Sequence, residues 1–96
     1  MLRHIVMWTL KDENKVASAQ TIKEKLEALQ GQVPGLVNVE VGIDLGSIET
    51  NYDVVLISDF DNEEALSAYQ IHPLHKEAGA FIKSVATGRS CVDYIV

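Results

Sequence analysis

The residues best suited to chemistry in this chain lie in segment 69–75, which reads Tyr-Gln-Ile-His-Pro-Leu-His. It places a phenol, Tyr69, and two imidazoles, His72 and His75, around Pro73. If Pro73 opens a helix, His75 lies in its first turn, where the positive end of the helix dipole disfavours an imidazolium. A neutral imidazole can act as a base. The spacing therefore predicts that His75 removes a proton α to a carbonyl while Tyr69 donates a hydrogen bond to a carbonyl oxygen.

The same residues also have purely structural interpretations. Tyr69 could be a core aromatic residue whose hydroxyl reaches water. His75 could be a satisfied residue at the start of a helix. His72 precedes proline, so we expect it to end one helix and to cap the next. The sequence leaves open whether the protein is an enzyme.

Two further titratable residues lie in predicted strands. His4 alternates with apolar residues, so it is either a satisfied core histidine or, if its strand face looks toward the helices, a neighbour of His75. Asp93 lies in an apolar strand and needs a partner if it is buried, with Arg89, His4 and His75 as candidates. The residues predicted to border a ligand pocket are His4, Val6, Trp8, Leu56, His72 and Asp93.

The hydrophobic pattern predicts the elements that position these groups, in the order β-α-β-β-α-β. Strands are predicted over 2–10, 36–43, 52–60 and 89–96, and helices over 14–30 and 61–88 with a break at Pro73. The predicted helix caps are Asn14 and Asp61, and the predicted stops are Gly31 and Gly88. This order is that of a single α+β, ferredoxin-like domain over residues 1–96, with a four-stranded antiparallel sheet and both helices on one face.

Composition restricts the partners of the chain. The strands look apolar on both faces, and a large apolar sheet face is not left in water, so we expect a homodimer with a barrel-like core. The net charge of −6 argues against nucleic acid and against an anionic membrane surface. The chain has neither a cleavable leader nor an apolar stretch of spanning length, which predicts a cytoplasmic location.

The single cysteine and the remaining acids receive structural interpretations. Cys91 lies in a Val/Ile/Tyr-rich run and is predicted to be a small buried hydrophobe. One cysteine excludes an internal disulfide and a cysteine-cluster zinc site. Two histidines three apart across a proline lack a matching ligand set, so neither a metal nor a cofactor is predicted. Asp53 and Asp59 flank an apolar strand and are predicted to be rim charges.

Motifs along the whole chain resemble those of one family, the Dabb family or stress-responsive dimeric A/B barrel domain. The matching segments are His4-Ile-Val, Pro34-Gly35, Asn51-Tyr52-Asp53, Tyr69–His75 and Val92-Asp93-Tyr94. The resemblance implies a dimeric ferredoxin-like barrel. Plant relatives include stress-induced proteins and a polyketide cyclase that performs an intramolecular aldol condensation. The residues that match Tyr69 and His75 carry that chemistry, and those that match His4 and Asp93 lie near the same pocket.

The resemblance also guides three hypotheses about function. The first is binding, with acid–base or cyclase-like chemistry, of a small apolar carbonyl compound. Aliphatic Ile22 and Leu26, with Lys23 between them, and the bulk of Trp8 predict a narrow pocket. The second is a non-enzymatic stress or interaction module whose dimer is the functional unit. The third is a cofactor-free monooxygenase-like enzyme, because such enzymes share the architecture. Some plant relatives hold a cation through main-chain carbonyls, which here would be those near Gln30, Val33 and Leu36.

Overall fold

The computed structural model describes all residues from Met1 to Val96 and confirms the predicted order, with the second helix divided in two at Pro73. The elements are β1 (Leu2–Leu10), α1 (Lys15–Glu27), β2 (Leu36–Ile43), β3 (Val54–Phe60), α2 (Glu63–Ile71), α3 (Pro73–Val85) and β4 (Ala86–Ile95). Pro73 occupies the first turn of α3 because its missing amide hydrogen is not needed there.

The four strands form one antiparallel sheet in the order β2-β3-β1-β4. In the β1–β4 pair, His4 lies opposite Asp93 and Val6 lies opposite Cys91. Directly opposed residues of an antiparallel pair point to the same side of the sheet. These four side chains therefore all project toward the side that carries the helices.

The hydrophobic core lies between the sheet and the helices. Alternate residues of β1 are buried, and Ile22 and Leu26 of α1 pack against them with almost no exposed surface. Phe60 and Tyr69 bring the largest buried rings into the same cluster. A period of two in the strands and of three to four in α1 places the apolar side chains on facing surfaces, as the sequence predicted.

Of three predicted helix boundaries, Asn14 is correct as the cap position of α1, whereas Asp61 and Gly88 are wrong for identifiable reasons. Asn14 precedes α1 but adopts a left-handed conformation (φ 55°), and its side chain makes no capping hydrogen bond. Asn62, rather than Asp61, caps α2 by accepting a hydrogen bond from the amide of Ala65 at 2.9 Å. Gly88 does not end α3, because the chain enters the sheet at Ala86 and pairs Gly88 with Thr9.

The first helix also ends earlier than predicted. The ordered helix stops at Glu27, and a series of turns leads to Gly31, whose φ of +81° favours glycine. Strand β3 starts at Val54 rather than at residue 52. Strict alternation over 36–43 predicts that Val37 shares a face with Val39, but the β2–β3 register shifts between Leu36 and Asn38, and Val37 is exposed.

Two residues have environments opposite to those predicted. Asp59 is not a rim charge: only 4% of it is exposed, and both its carboxylate oxygens accept hydrogen bonds from Arg3 at 2.8 and 3.1 Å. Cys91 is exposed rather than buried, because β4 is an edge strand and few helix residues cover it.

The sheet face away from the helices carries a row of apolar side chains. By strand alternation this row contains Ile5, Met7, Val55, Ile57 and Val92. Met7 is 37% exposed and Val92 is 54% exposed in the single chain. We call this surface the open sheet face. None of the helices has the length and apolar character needed to cross a membrane.

Candidate functional site

His4 and Asp93 form a hydrogen-bonded pair across the β1–β4 register. Nδ1 of His4 lies 2.5 Å from Oδ1 of Asp93. A carboxylate only accepts hydrogen bonds, so Nδ1 carries the hydrogen and Nε2 keeps its lone pair in the neutral imidazole. Asp93 thus finds its partner in His4 and not in Arg89. The His4 ring is buried, whereas the Asp93 side chain is partly exposed.

His75 is held in the same tautomer by a different acceptor. Its Nδ1 lies 3.3 Å from the main-chain oxygen of Gln70, to which it donates, so Nε2 is again the free nitrogen. Burial lowers the pKa of His75, and the nearby charges of His4, Arg89 and His72 act in the same direction, while the bond to Gln70 opposes them. The prediction of a neutral imidazole is supported, with burial as the principal cause.

Tyr69 packs directly beside His75. The centroids of these two rings are 4.2 Å apart, and the centroid of the Phe60 ring lies 4.9 Å from that of Tyr69. The Tyr69 hydroxyl is fully buried and is the one buried side-chain polar atom without a hydrogen-bond partner. Burial raises the pKa of this phenol, which stays protonated. The structural interpretation, in which the Tyr69 hydroxyl reaches water, is therefore wrong.

A cleft of about 210 Å³ lies between the sheet and α3. His4 and His75 both line it, and the predicted pocket residues Val6, Trp8 and Leu56 supply apolar walls. The other lining residues are Leu26, Gly79, Ile82, Lys83 and Arg89. The structure therefore brings two imidazoles to one cavity, although Tyr69 lies behind His75 rather than on the cavity wall.

Two predicted pocket residues do not line the cleft. Nδ1 of His72 accepts a hydrogen bond from the amide of Leu74 at 3.1 Å, so His72 caps α3 as the structural interpretation expected. Asp93 reaches the cleft only through His4. Helix α3 contributes Gly79 and Lys83, which the sequence analysis did not predict. His75, Gly79 and Lys83 follow one another at intervals of four residues, which places them on one face of a helix and could have identified them.

One group of side chains has the donor atoms for a metal ion. The ligand atoms of His4, Cys91 and Asp93 lie within 4.8 Å of one another. Sγ of Cys91 is 3.7 Å from Nδ1 of His4 and 3.8 Å from the carboxylate of Asp93. A metal ion here would have to replace the hydrogen shared between His4 and Asp93. The carbonyl cation site near Gln30, Val33 and Leu36 stays a prediction; the Val33 oxygen accepts from the Leu36 amide at 3.2 Å.

A larger depression of about 520 Å³ lies on the other side of the sheet. It is formed by Met7 and Val55 of the open sheet face together with loop residues 50–53. Its titratable side chains are those of Asp44, Asp53 and Tyr52, with no imidazole or thiol among them. It continues the open sheet face and lies apart from the two histidines.

Comparison with known proteins agrees with this fold. The chain matches the family model described as the stress responsive A/B barrel domain (Dabb) over residues 2–96. An uncharacterized protein of Streptomyces coelicolor is 30% identical over 92 residues, which cover 91% of this chain and 92% of that protein.

Solved structures give the same result. A dimeric ferredoxin-like protein of unknown function from Bacteroides fragilis is 31% identical, with a TM-score of 0.90 over 99% of this chain and 95% of that one. A dimeric ferredoxin-like protein of unknown function from Thermobifida fusca is 33% identical, with a TM-score of 0.82 over 99% and 90% of the two chains. An antibiotic biosynthesis monooxygenase has the same fold at 15% identity (TM-score 0.81, covering 100% of this chain and 98% of that one), a likeness of architecture alone. The chain belongs to the stress responsive A/B barrel, or Dabb, family.

Proposed function

We propose that this protein is a homodimer that binds a small, largely apolar carbonyl compound in the cleft between sheet and helices and moves protons on it through two imidazoles. The observation that carries the proposal is the presence of His4 and His75 on one cavity of about 210 Å³, each with Nδ1 bound to an oxygen and Nε2 free of such a bond. A site with two oriented imidazoles suits proton abstraction next to a carbonyl.

His75 is the proposed base. Its burial and the neighbouring positive charge of Arg89 favour the neutral form, which has a lone pair on Nε2. The bond to Gln70 fixes the ring orientation, so the lone pair has a defined direction. In this step Nε2 takes a proton from the carbon next to the substrate carbonyl.

His4 is the proposed proton donor to the carbonyl oxygen. When Nε2 of His4 is protonated, the Asp93 carboxylate balances the positive charge at 2.5 Å. His4 then gives that proton to the carbonyl oxygen while His75 receives the carbon-bound one, which leaves an enol. Protonated His75 and neutral His4 are the products, and the reverse transfer restores both groups.

Tyr69 was the donor predicted from the sequence, and that role stays a prediction. Its hydroxyl is closed off from the cleft, so its contact with His75 is through the ring. In the present proposal Tyr69 is a positioning residue that holds the imidazole of His75 between α2 and α3. A cyclase-like reaction would be the same proton transfer followed by attack of the enol on a second carbonyl of the substrate.

The size of the cleft limits the substrate. A volume of about 210 Å³ lies below the roughly 300–1,000 Å³ that is usual for pockets of drug-sized ligands. Trp8 supplies one wall of the cleft, which supports the proposal of a narrow binding site. The substrate class is therefore a compact carbonyl compound rather than a long polyketide.

Dimerisation is proposed from the open sheet face. The open sheet face is an apolar surface that a second copy of the chain would cover, formed by Ile5, Met7, Val55, Ile57 and Val92. The similar proteins from Bacteroides fragilis and Thermobifida fusca are described as dimeric. The cleft with His4 and His75 lies on the opposite side of the sheet, so dimer formation through this face leaves it free.

Deuterium exchange tests the proposed chemistry. A 1,3-dicarbonyl such as ethyl 2-methylacetoacetate is incubated in D₂O with the protein, and loss of the proton between the carbonyls is followed by NMR. We expect protein-catalysed exchange that falls by about 10²-fold or more in His75→Gln, the usual contribution of a general base. His72→Asn is the matched control because it removes an imidazole outside the cleft and keeps a capping residue.

The second candidate function is a non-enzymatic interaction module, favoured by the open sheet face. It predicts no exchange above the buffer rate in wild type and no difference among the three proteins. Exchange that is equally fast in wild type and His75→Gln would refute the role of His75. The monooxygenase-like alternative rests on shared architecture alone.

A further inference from the structure

Two basic side chains border the cleft from opposite sides. Lys83 belongs to α3 and Arg89 to β4, and no acidic residue is among the lining residues. Asp93, the hydrogen-bond partner of His4, is not among the lining residues. The charged and titratable side chains that line the cleft are therefore two cations and two imidazoles, and most of the other lining side chains are apolar.

These cations lie in an acidic chain in which half of the basic residues have no carboxylate partner. Fourteen acidic residues face eight basic ones, and four of the basic residues have a carboxylate within 4.0 Å, namely Arg3, Lys15, Lys23 and Lys25. Neither Lys83 nor Arg89 has one. Lys83 and Arg89 are exposed and both line the cleft, so an anion that enters it would meet two cations without carboxylate partners.

The field of Arg89 reaches into the site. After burial, nearby positive charges including Arg89 contribute to the lowered pKa of His75. Arg89 lies opposite Trp8 in the strand register, which places it next to the apolar wall of the cleft. A ligand that neutralised Arg89 would lie against Trp8 and beside His75.

We infer that the ligand of this cleft carries a carboxylate, held between Arg89 and Lys83, on a short apolar body that contains the carbonyl group, as in a 3-oxo acid. The inference rests on the proposed function, which makes the cleft the binding site of a small carbonyl compound. A guanidinium offers two parallel N–H donors that match a carboxylate, and an ammonium adds a point charge. The apolar body packs on Val6, Leu56 and Trp8.

The position of the ligand's carboxylate fixes the orientation of the rest of the ligand in the cleft. With the carboxylate at the basic end, the carbonyl of a 3-oxo acid lies toward the imidazoles of His4 and His75, and the carbon between the two groups carries the acidic protons. The carboxylate thus serves as an anchor that presents one carbon to His75. A neutral analogue would lack this anchor and would have only the apolar contacts.

Trp8 supplies the readout, because it is the single tryptophan of the chain and lines the cleft. Its fluorescence is titrated with 3-oxohexanoate and with methyl 3-oxohexanoate, which share the same apolar body. We expect the acid to bind at least tenfold more tightly at low salt, with the difference shrinking as salt rises. Arg89→Gln and Lys83→Gln should each weaken acid binding about tenfold, the loss of one charge-assisted hydrogen bond, and leave ester binding unchanged.

Lys76→Gln is the matched control, because Lys76 is an exposed lysine of α3 that does not line the cleft. It should leave both affinities unchanged. Equal binding of acid and ester, or acid binding that is insensitive to both cleft substitutions, would overturn the carboxylate inference while the cleft proposal stands. Failure of both compounds to change Trp8 fluorescence or the melting temperature would overturn the cleft proposal and this inference together.

Discussion

Replacing Tyr69 by phenylalanine should make the folded protein more stable. The Tyr69 side chain has no exposed surface, and its hydroxyl has no hydrogen-bond partner. The unfolded chain would hydrate that hydroxyl, so folding loses its hydrogen bonds to water without replacement. Tyr69→Phe removes the group responsible for this loss and keeps the ring that packs between Phe60 and His75.

The magnitude follows from the desolvation of one neutral polar group. An unsatisfied buried donor or acceptor costs about 1–3 kcal/mol. The void left by one oxygen atom offsets part of the gain, since lost packing contacts also cost free energy. We therefore expect the free energy of unfolding to rise by about 1 kcal/mol, which in a domain of this size corresponds to a melting-temperature increase of about 4–8 °C.

Urea denaturation and calorimetry at one fixed protein concentration measure this change, because the apparent stability of a dimer depends on concentration. Tyr52→Phe is the matched control: the Tyr52 hydroxyl lies 2.8 Å from Oγ of Ser90 near the surface, so the same substitution removes a formed hydrogen bond. It should leave stability unchanged or slightly lower. Destabilisation of Tyr69→Phe by more than about 1 kcal/mol would refute the reasoning and reveal a partner for the Tyr69 hydroxyl.

Three further predictions concern the pH response, the cleft and the dimer. Because the pKa of His75 is lowered in the folded state, its contribution to stability is complete above the unfolded pKa of 6.5 and is lost as pH falls through the lowered folded pKa. As pH falls below 6.5, the urea midpoint of wild type should therefore decline more steeply than that of His75→Gln. Parallel curves for the two proteins would contradict the lowered pKa. Gly79→Ala places a methyl group in open space on α3, so it should stabilise the fold by about 0.5–1 kcal/mol. Because Gly79 lines the cleft, the same change should weaken ligand binding measured by Trp8 fluorescence. An unchanged affinity would argue that the ligand does not occupy the cleft. Met7→Glu puts a charge on the open sheet face and should convert a dimer into a monomer by light scattering, and a wild type that is itself monomeric at micromolar concentration would disprove the dimer.

The fold was predictable because its determinants are local. Alternating apolar residues in β1 and the three-to-four spacing in α1 each define one buried face, and Pro73 specifies the break between α2 and α3. Helix ends were less predictable, since Asp61 and Asn62 are both good caps and the choice depends on the backbone path into α2. At Ala86, the pairing of β4 with β1 ended α3 before the glycine signal at Gly88.

The site was predictable only in part. The sequence proposes His75 from a local feature, the proline before it, whereas the main cause of its lowered pKa is burial, which no local feature specifies. The pairing of His4 with Asp93 joins residues 89 positions apart and depends on the β1–β4 register, in which a shift of one residue would turn them to opposite faces. The position of Arg89 on the cleft likewise follows from the β1–β4 register, whereas the spacing of four from His75 through Gly79 could have identified Lys83.

The Tyr69 hydroxyl has no hydrogen-bond partner, which raises the question whether it acts in the proposed reaction of His4 and His75. Phenylalanine would fill the same space without an unpaired hydroxyl, so the phenol would have a function if its hydroxyl acted on His75 or on a ligand. A double-mutant cycle of Tyr69→Phe and His75→Gln, read out by deuterium exchange, separates the cases. If Tyr69 acts through His75, the single losses in rate are not additive, and Tyr69→Phe adds nothing once His75 is gone. Additive losses would assign Tyr69 a contact with the ligand itself, and a Tyr69→Phe protein with unchanged exchange and higher stability would leave the phenol a purely structural residue.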